Sequence, residues 1–136
     1  MNLYTKLKTR AATNTPICVG MIGAGKFGSM FLAQAIKLPG IHIVAICDID
    51  VGQAKSNLAY IGWPQDRYAA TSLDDALKHH STFLTDHSDR VIKCPEIDII
   101  IECTGNPVAA VAHAGAAFAA QKHVINATVE ADAFCG

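Results

Sequence analysis

Short apolar runs rich in branched residues recur along the chain at 17–22 (ICVGMI), 41–47 (IHIVAIC), 82–85 (TFLT), 97–102 (IDIIIE) and 123–127 (HVINA). Runs of this length, bounded by turn-forming residues and apolar at successive positions, predict strands buried on both faces. The segments between them carry helical spacing and helix-end signals. Leu3, Leu7 and Ala11 repeat every fourth residue until Thr13-Asn14-Thr15-Pro16 breaks the pattern. A second helix is expected from the glycine-rich turn at 23–28 to about Leu38, with Phe27, Met30, Phe31 and Ala35 on its inner face and Pro39-Gly40 as its stop. Asp48 or Asp50 is expected to cap a helix reaching about Ile61, with Gly62 at its C-terminal end and Pro64 preventing continuation. Ser72-x-x-Asp75 has the form of a capping box for a short helix to about His80, and Asp86 is expected to cap another to about Cys94. Gly105-Asn106-Pro107 leads into an alanine-rich helix ending near Gln121.

Strands that alternate with helices, with no hairpin signal between them, imply a parallel sheet covered on both faces. The expected fold class is α/β, a Rossmann-type doubly wound parallel sheet with strand order 3-2-1-4-5. A length of 136 residues suits one domain, read as an N-terminal helical arm at 1–16 and a nucleotide-binding domain at 17–136.

Gly23-Ala24-Gly25-Lys26-Phe27-Gly28 matches G-x-G-x-x-G. Glycine turns are common, so the context carries the weight. This one follows a strand, opens a helix, and is followed twenty residues after Gly28 by Asp48 at the end of the next strand. Gly23 permits the tight turn, Gly25 lets the backbone approach a pyrophosphate, and Gly28 allows helix and strand to pack closely. The helix N-terminus then offers free N–H groups and a favourable dipole to the phosphates. A lysine such as Lys26 opposes that dipole unless an anion sits beside it. Asp48 is expected to accept hydrogen bonds from the adenosine ribose. Its carboxylate repels a 2′-phosphate, and no Lys or Arg occupies 49–51, so the local electrostatics favour NAD over NADP. Helix capping by Asp48 is compatible with that role.

In this topology the ligand crevice opens between the C-terminal ends of the first and fourth strands. The fourth ends in Glu102-Cys103-Thr104-Gly105-Asn106-Pro107, which places Cys103, Thr104 and Gly105 against the cofactor; Asn106 before Pro107 is also a good helix cap. Cys103 has no recognisable base beside it and reads as a buried thiol. Thr128, after the fifth strand, faces the same crevice. Glu130 and Asp132 are either substrate-facing groups or caps of a following helix.

Composition adds exclusions. The chain is 51% hydrophobic and 17% charged, below the usual charged fraction of about 25%, which fits a doubly covered sheet, an apolar surface kept for a partner, or both. A net charge of -1 gives no general attraction to nucleic acid or anionic membranes, and Lys6, Lys8 and Arg10 read as a solvated helix face. Five cysteines without a C-x-x-C pair suggest reduced cytosolic thiols, and the six histidines lack zinc-ligand spacing, so no metal is expected. No signal peptide or membrane-spanning run is visible, which predicts a soluble, cytoplasmic protein.

The opening MNLYTKL, the run VGMIGAGKFGSM at 19–30, ECTGNP at 102–107 and VEAD at 129–132 together resemble the homoserine-dehydrogenase-like oxidoreductases that carry a C-terminal SAF domain, including the 1-deoxy-D-xylulose 5-phosphate reductoisomerase-like enzymes. The resemblance covers nearly the whole chain. It implies nicotinamide-dependent reduction of a small oxygenated substrate, often with NADPH, by a longer and homo-oligomeric protein whose catalytic domain follows the cofactor domain. Family usage thus favours NADP where Asp48 favours NAD, and the cofactor is expected to be one of the two. The chain is expected to be truncated before the catalytic domain, and to be inactive alone. The alternative is a stand-alone NAD(H)-binding sensor or docking module without catalysis.

Overall fold

The computed structural model describes residues 2–23 and 26–127, with residues 26 and 27 described by their backbone alone. Five parallel strands, β1 (Ile17–Ile22), β2 (Ile41–Cys47), β3 (Phe83–Thr85), β4 (Ile99–Glu102) and β5 (His123–Asn126), form one sheet in the order β3-β2-β1-β4-β5. The expected topology is therefore the observed one. Among the described residues the helices are α1 (Leu3–Ala12), α2 (Lys26–Ala35), α3 (Val51–Tyr60), α4 (Leu73–His79), α5 (Ser88–Ile92) and α6 (Pro107–Ala119), with a 3-10 turn at Gln65–Tyr68.

Two apolar layers hold the sheet. On one face Leu32 and Ala35 of α2, Ala54 and Leu58 of α3, and Trp63 pack on Val19, Met21, Ile43, Ile46 and Ile101. On the other, Ala76 of α4, Val91 and Ile92 of α5 and Ala117 of α6 pack on Ile22, Val44, Ala45 and Ile100. Strict alternation would put Ile43 and Ala45 on one face. Instead the β1–β2 register steps from Val19↔Ile43 to Gly20↔Ala45, so Val44 is an extra residue that reverses the alternation downstream. Trp63 closes the first layer by donating its indole N–H to the Leu32 carbonyl at 3.0 Å. His42, the polar exception in β2, is buried with its Nε2 at 2.7 Å from the Ser81 carbonyl.

Several local expectations need correction. The second helix ends at Ala35 rather than near Leu38, and its inner face is Gly28, Leu32 and Ala35, with Met30 exposed and Phe31 half-buried. Gly28 sets this phase: a Cβ there would lie 3.0 Å from Met21 Cε and 3.3 Å from the Gly23 carbonyl, so the bare glycine must face the sheet and the fourth and seventh residues after it follow. Between Asp48 and Asp50, the cap of α3 is Asp50, whose carboxylate accepts from Gln53 N–H at 2.9 Å. Asp86 caps nothing. The N-cap position of α5 is His87, which makes no side-chain cap bond, and α5 stops at Ile92. The strands expected from 82, from 97 and to 127 pair only over 83–85, 99–102 and 123–126.

The capping box at Ser72 forms with a shift. Ser72 accepts from Asp75 N–H at 3.0 Å, while Asp75 reaches back one residue further than usual, to Thr71 N–H at 2.9 Å. The N-terminal helix is docked on the domain: Leu7 is buried, and a Cβ on Gly40, whose φ is +76°, would sit 2.2 Å from the Leu7 carbonyl oxygen. Only a glycine lets α1 come that close to the start of β2.

Candidate functional site

The C-terminal ends of the strands converge on a cavity of about 410 Å³, lined by Ile22, Gly23, Cys47, Asp48, Ile49, Asp86, Ser88, Thr104, Asn106, Ala109 and His113. That volume falls within the range of about 300–1,000 Å³ usual for small-molecule sites. A larger depression of about 770 Å³ lies at the opposite edge, beside Asp98, Lys122 and His123. Its best-placed cation, Lys122, already donates to the Cys94 and Ile97 carbonyls at 2.6 and 2.8 Å. Ligands of open α/β sheets bind beyond the carboxyl ends of the strands, so the smaller cavity is the candidate site.

Its walls follow from the fold. Gly23 leaves β1 with φ +89° and donates its N–H to the Cys47 carbonyl at 2.7 Å. A Cβ on it would meet the Cys103 carbonyl group and Thr104 N at 2.8 Å, so the chain segments after β1 and β4 touch backbone to backbone here. Helix α2 starts at Lys26 and has no acidic residue in its first turn, leaving its N-terminus electropositive towards this edge. Asp48, at the end of β2, accepts from Asp50 N–H through Oδ1 at 2.9 Å, which fixes the direction of its carboxylate. Beside it Ile49 is 98% exposed, an apolar side chain held open at the cavity. The lateral pairing Cys47↔Thr85 brings Asp86 next to Asp48.

On the far wall, Thr104 N–H donates to Glu102 Oε1 at 2.7 Å, and Thr104 Oγ1 accepts from Asn106 N–H at 3.2 Å. Asn106 caps α6 by accepting from Ala109 N–H at 3.1 Å, with Pro107 in the first turn. Glu102 is only 1% exposed, and its second oxygen lies 2.5 Å from His113 Nδ1.

Of the residues singled out in the sequence, Gly23, Asp48 and Thr104 line the cavity directly, Cys103 backs Gly23, and Gly105 makes the turn at φ +71°. Gly28 sits behind them against Met21. Ala24, Gly25 and Thr128, the side chains of Lys26 and Phe27, and Glu130 and Asp132 lie outside the described residues. Sequence reasoning missed Ile49, Ser88, Ala109 and the Glu102–His113 pair, and gave Asp86 another role. For His113 a signal existed: Asn106, Ala109 and His113 are spaced by three and four residues, which puts them on one helix face.

The thiols at the site are held in their protonated form by their surroundings. Burial, reinforced by Glu102, pushes Cys103 up to about 11, and burial with the charges of Asp48, Asp86 and Glu102 does the same to Cys47. From an ordinary 9.0 this cuts the thiolate fraction near neutrality roughly a hundredfold. Iodoacetamide at pH 7.5 is therefore expected to label Cys47 and Cys103 far more slowly than a small free thiol, with rates climbing as the pH approaches 11. Peptide mass spectrometry would read this site by site, and fast labelling of Cys103 at pH 7.5 would restore it as a candidate nucleophile.

A parallel β3-β2-β1-β4-β5 sheet, a glycine turn leading into a helix, and a carboxylate ending β2 define a dinucleotide-binding Rossmann domain. The chain belongs to the GFO_IDH_MocA oxidoreductase family, whose NAD-binding Rossmann fold matches residues 17–126. No functionally curated protein matches it in sequence.

Among solved structures it is similar to a homoserine dehydrogenase from Thiobacillus denitrificans, at TM-score 0.64 and 23% identity over 88% of this chain and 25% of that one. It is also similar to myo-inositol dehydrogenase from Lactobacillus casei in complex with NAD(H) and myo-inositol, at TM-score 0.60 and 20% identity over 82% of this chain and 28% of that one. A levoglucosan dehydrogenase in complex with NADH gives 0.55 and 20% over 82% and 27%. At these identities the likeness is one of fold, and the chain spans about a quarter of the length of each. Among the described residues no helix is long and apolar enough to cross a membrane.

Proposed function

We propose that this chain forms the cofactor-binding part of a nicotinamide-dependent dehydrogenase and holds NAD(H) across the C-terminal edge of its sheet. The observation that carries the reading is the cavity itself, where Gly23, Asp48 and Thr104 meet from three different strand ends beside the start of α2. In this reading the pyrophosphate lies over Gly23, Ala24, Gly25, Lys26, Phe27 and Gly28. Asp48 takes the adenosine ribose hydroxyls, and adenine covers the otherwise exposed Ile49. Cys103, Thr104, Gly105 and Thr128 border the path of the nicotinamide half.

The bound nicotinamide supplies the hydride chemistry; the chain's own residues bind and orient it. Asp48 and its neighbour Asp86 make the ribose end acidic, which favours NAD over NADP. The substrate is a small oxygenated compound, and the resemblance to homoserine-dehydrogenase-like enzymes with a C-terminal SAF domain supports that class. Turnover then calls for a substrate domain beyond the residues described here and, in the longer protein, a homo-oligomer in the cytoplasm.

Calorimetric titration with NADH tests the site. The parent chain is expected to bind, and Gly25→Val, which puts a branched side chain where the pyrophosphate must approach, is expected to lose at least about a hundredfold in affinity, or roughly 2.7 kcal/mol. Equal binding by parent and variant would remove the glycine turn from the site.

A further inference from the structure

At the cavity a buried carboxylate is paired with a half-buried imidazole, an arrangement that neither the glycine motif nor Asp48 explains. Glu102 ends β4 and is almost fully buried. Its Oε1 accepts the Thr104 N–H, and its Oε2 faces His113 Nδ1. His113 lines the cavity on the same face of α6 as Asn106 and Ala109, one turn further from the cap. Its Nε2 makes no hydrogen bond to any described residue.

We propose that His113, oriented by Glu102, reads the purine of the dinucleotide and selects an amino-purine over an oxo-purine. The inference rests on the reading that this cavity holds the adenosine end of NAD(H). With Asp48 on the ribose, the base extends between Ile49 on one side and Ala109 on the other, towards the deeper turn of α6 that carries His113.

Hydrogen-bond polarity supplies the selectivity. A carboxylate accepts only, so the proton between Oε2 and Nδ1 belongs to the ring nitrogen, and in the tautomer this bond selects Nε2 is an acceptor. The exocyclic amine of adenine is a donor and matches it. The carbonyl that replaces this amine in hypoxanthine is an acceptor and does not. Glu102 is thus a positioning residue: it never touches the ligand but sets which ring nitrogen carries the proton.

Glu102→Gln tests this by reversing one bond. The amide oxygen still accepts from Thr104 N–H, but its NH₂ now donates to His113 Nδ1, which moves the ring proton to Nε2 and turns that nitrogen into a donor. The dissociation constants of NADH and of nicotinamide hypoxanthine dinucleotide, reduced form, are measured by fluorescence at pH 8.5 for both proteins. The parent is expected to favour NADH about tenfold, the worth of one well-made hydrogen bond, and Glu102→Gln is expected to erase or invert that ratio. A purely structural role for the pair would shift both constants together.

Imidazole ¹⁵N shifts of His113, which distinguish the two tautomers, are expected to exchange places in Glu102→Gln and to move at Nε2 when NADH is added to the parent. Two results overturn the inference while leaving dinucleotide binding intact: no preference for NADH in the parent, or the same ratio in both proteins with unchanged Nε2 shifts on binding. Binding of neither dinucleotide by the parent overturns the site reading as well.

Discussion

His113→Ala is expected to cost the domain about 3 kcal/mol of stability, the penalty for taking a hydrogen-bond donor away from a buried carboxylate. Glu102 cannot turn to water, being 1% exposed at the end of a central strand, and losing His113 takes away one of the donors that hold its carboxylate. For a chain of this size the loss corresponds to a fall in Tm of roughly 10 °C. The double variant Glu102→Leu/His113→Leu is expected to recover much of it, because no charge is then left buried without a partner. Urea unfolding of parent, single and double variants gives the coupling directly. A single variant within about 0.5 kcal/mol of the parent would show that the pair contributes no stability, and that water or local movement already satisfies Glu102.

Gly23→Ala is expected to be more damaging, at about 4 kcal/mol or more, because two separate penalties add. A non-glycine residue at φ +89° costs roughly 1–3 kcal/mol in backbone strain. The new methyl also lands 2.8 Å from the Cys103 carbonyl group and Thr104 N, backbone atoms that cannot step aside without separating β1 from β4. Gly62→Ala is the internal control. Its φ is +91°, almost the same, but nothing lies within 4 Å of the added methyl, so it bears the strain without the collision. Thermal unfolding of the two variants is expected to rank Gly23→Ala well below Gly62→Ala. Equal losses would mean that the close approach of the two segments has no energetic weight.

Much of this was readable in the chain of amino acids. Apolar runs rich in branched residues at 17–22 and 41–47 point to strands buried on both faces, and helix-forming segments between strands require right-handed crossovers, so the sheet order follows from local patterns and general handedness. Asn106 before Pro107, Ser72 ahead of Asp75 and Gly62 before Pro64 act within a few residues of themselves, and each does in the structure what its local chemistry requires. The meeting of Gly23, Asp48 and Thr104 is equally a consequence of topology, since strand ends in a known order must converge.

Tertiary structure alone decided the rest, wherever a residue's role depends on atoms distant in sequence. The phase of α2 was set by Gly28 against Met21, so Leu32 is inside and Met30 outside despite their similar hydrophobicity. Val44 became the extra residue of β2 only when β1 was laid beside it. Asp86 looked like a cap by position, yet the chain starts α5 from His87, and lateral pairing with β2 delivers its carboxylate to the cavity instead. Glu102 and His113 are eleven residues apart, in a strand and a helix whose separate patterns give no reason to join them. Their contact exists because α6 folds back over β4, and a buried carboxylate must find a donor wherever the packed chain provides one.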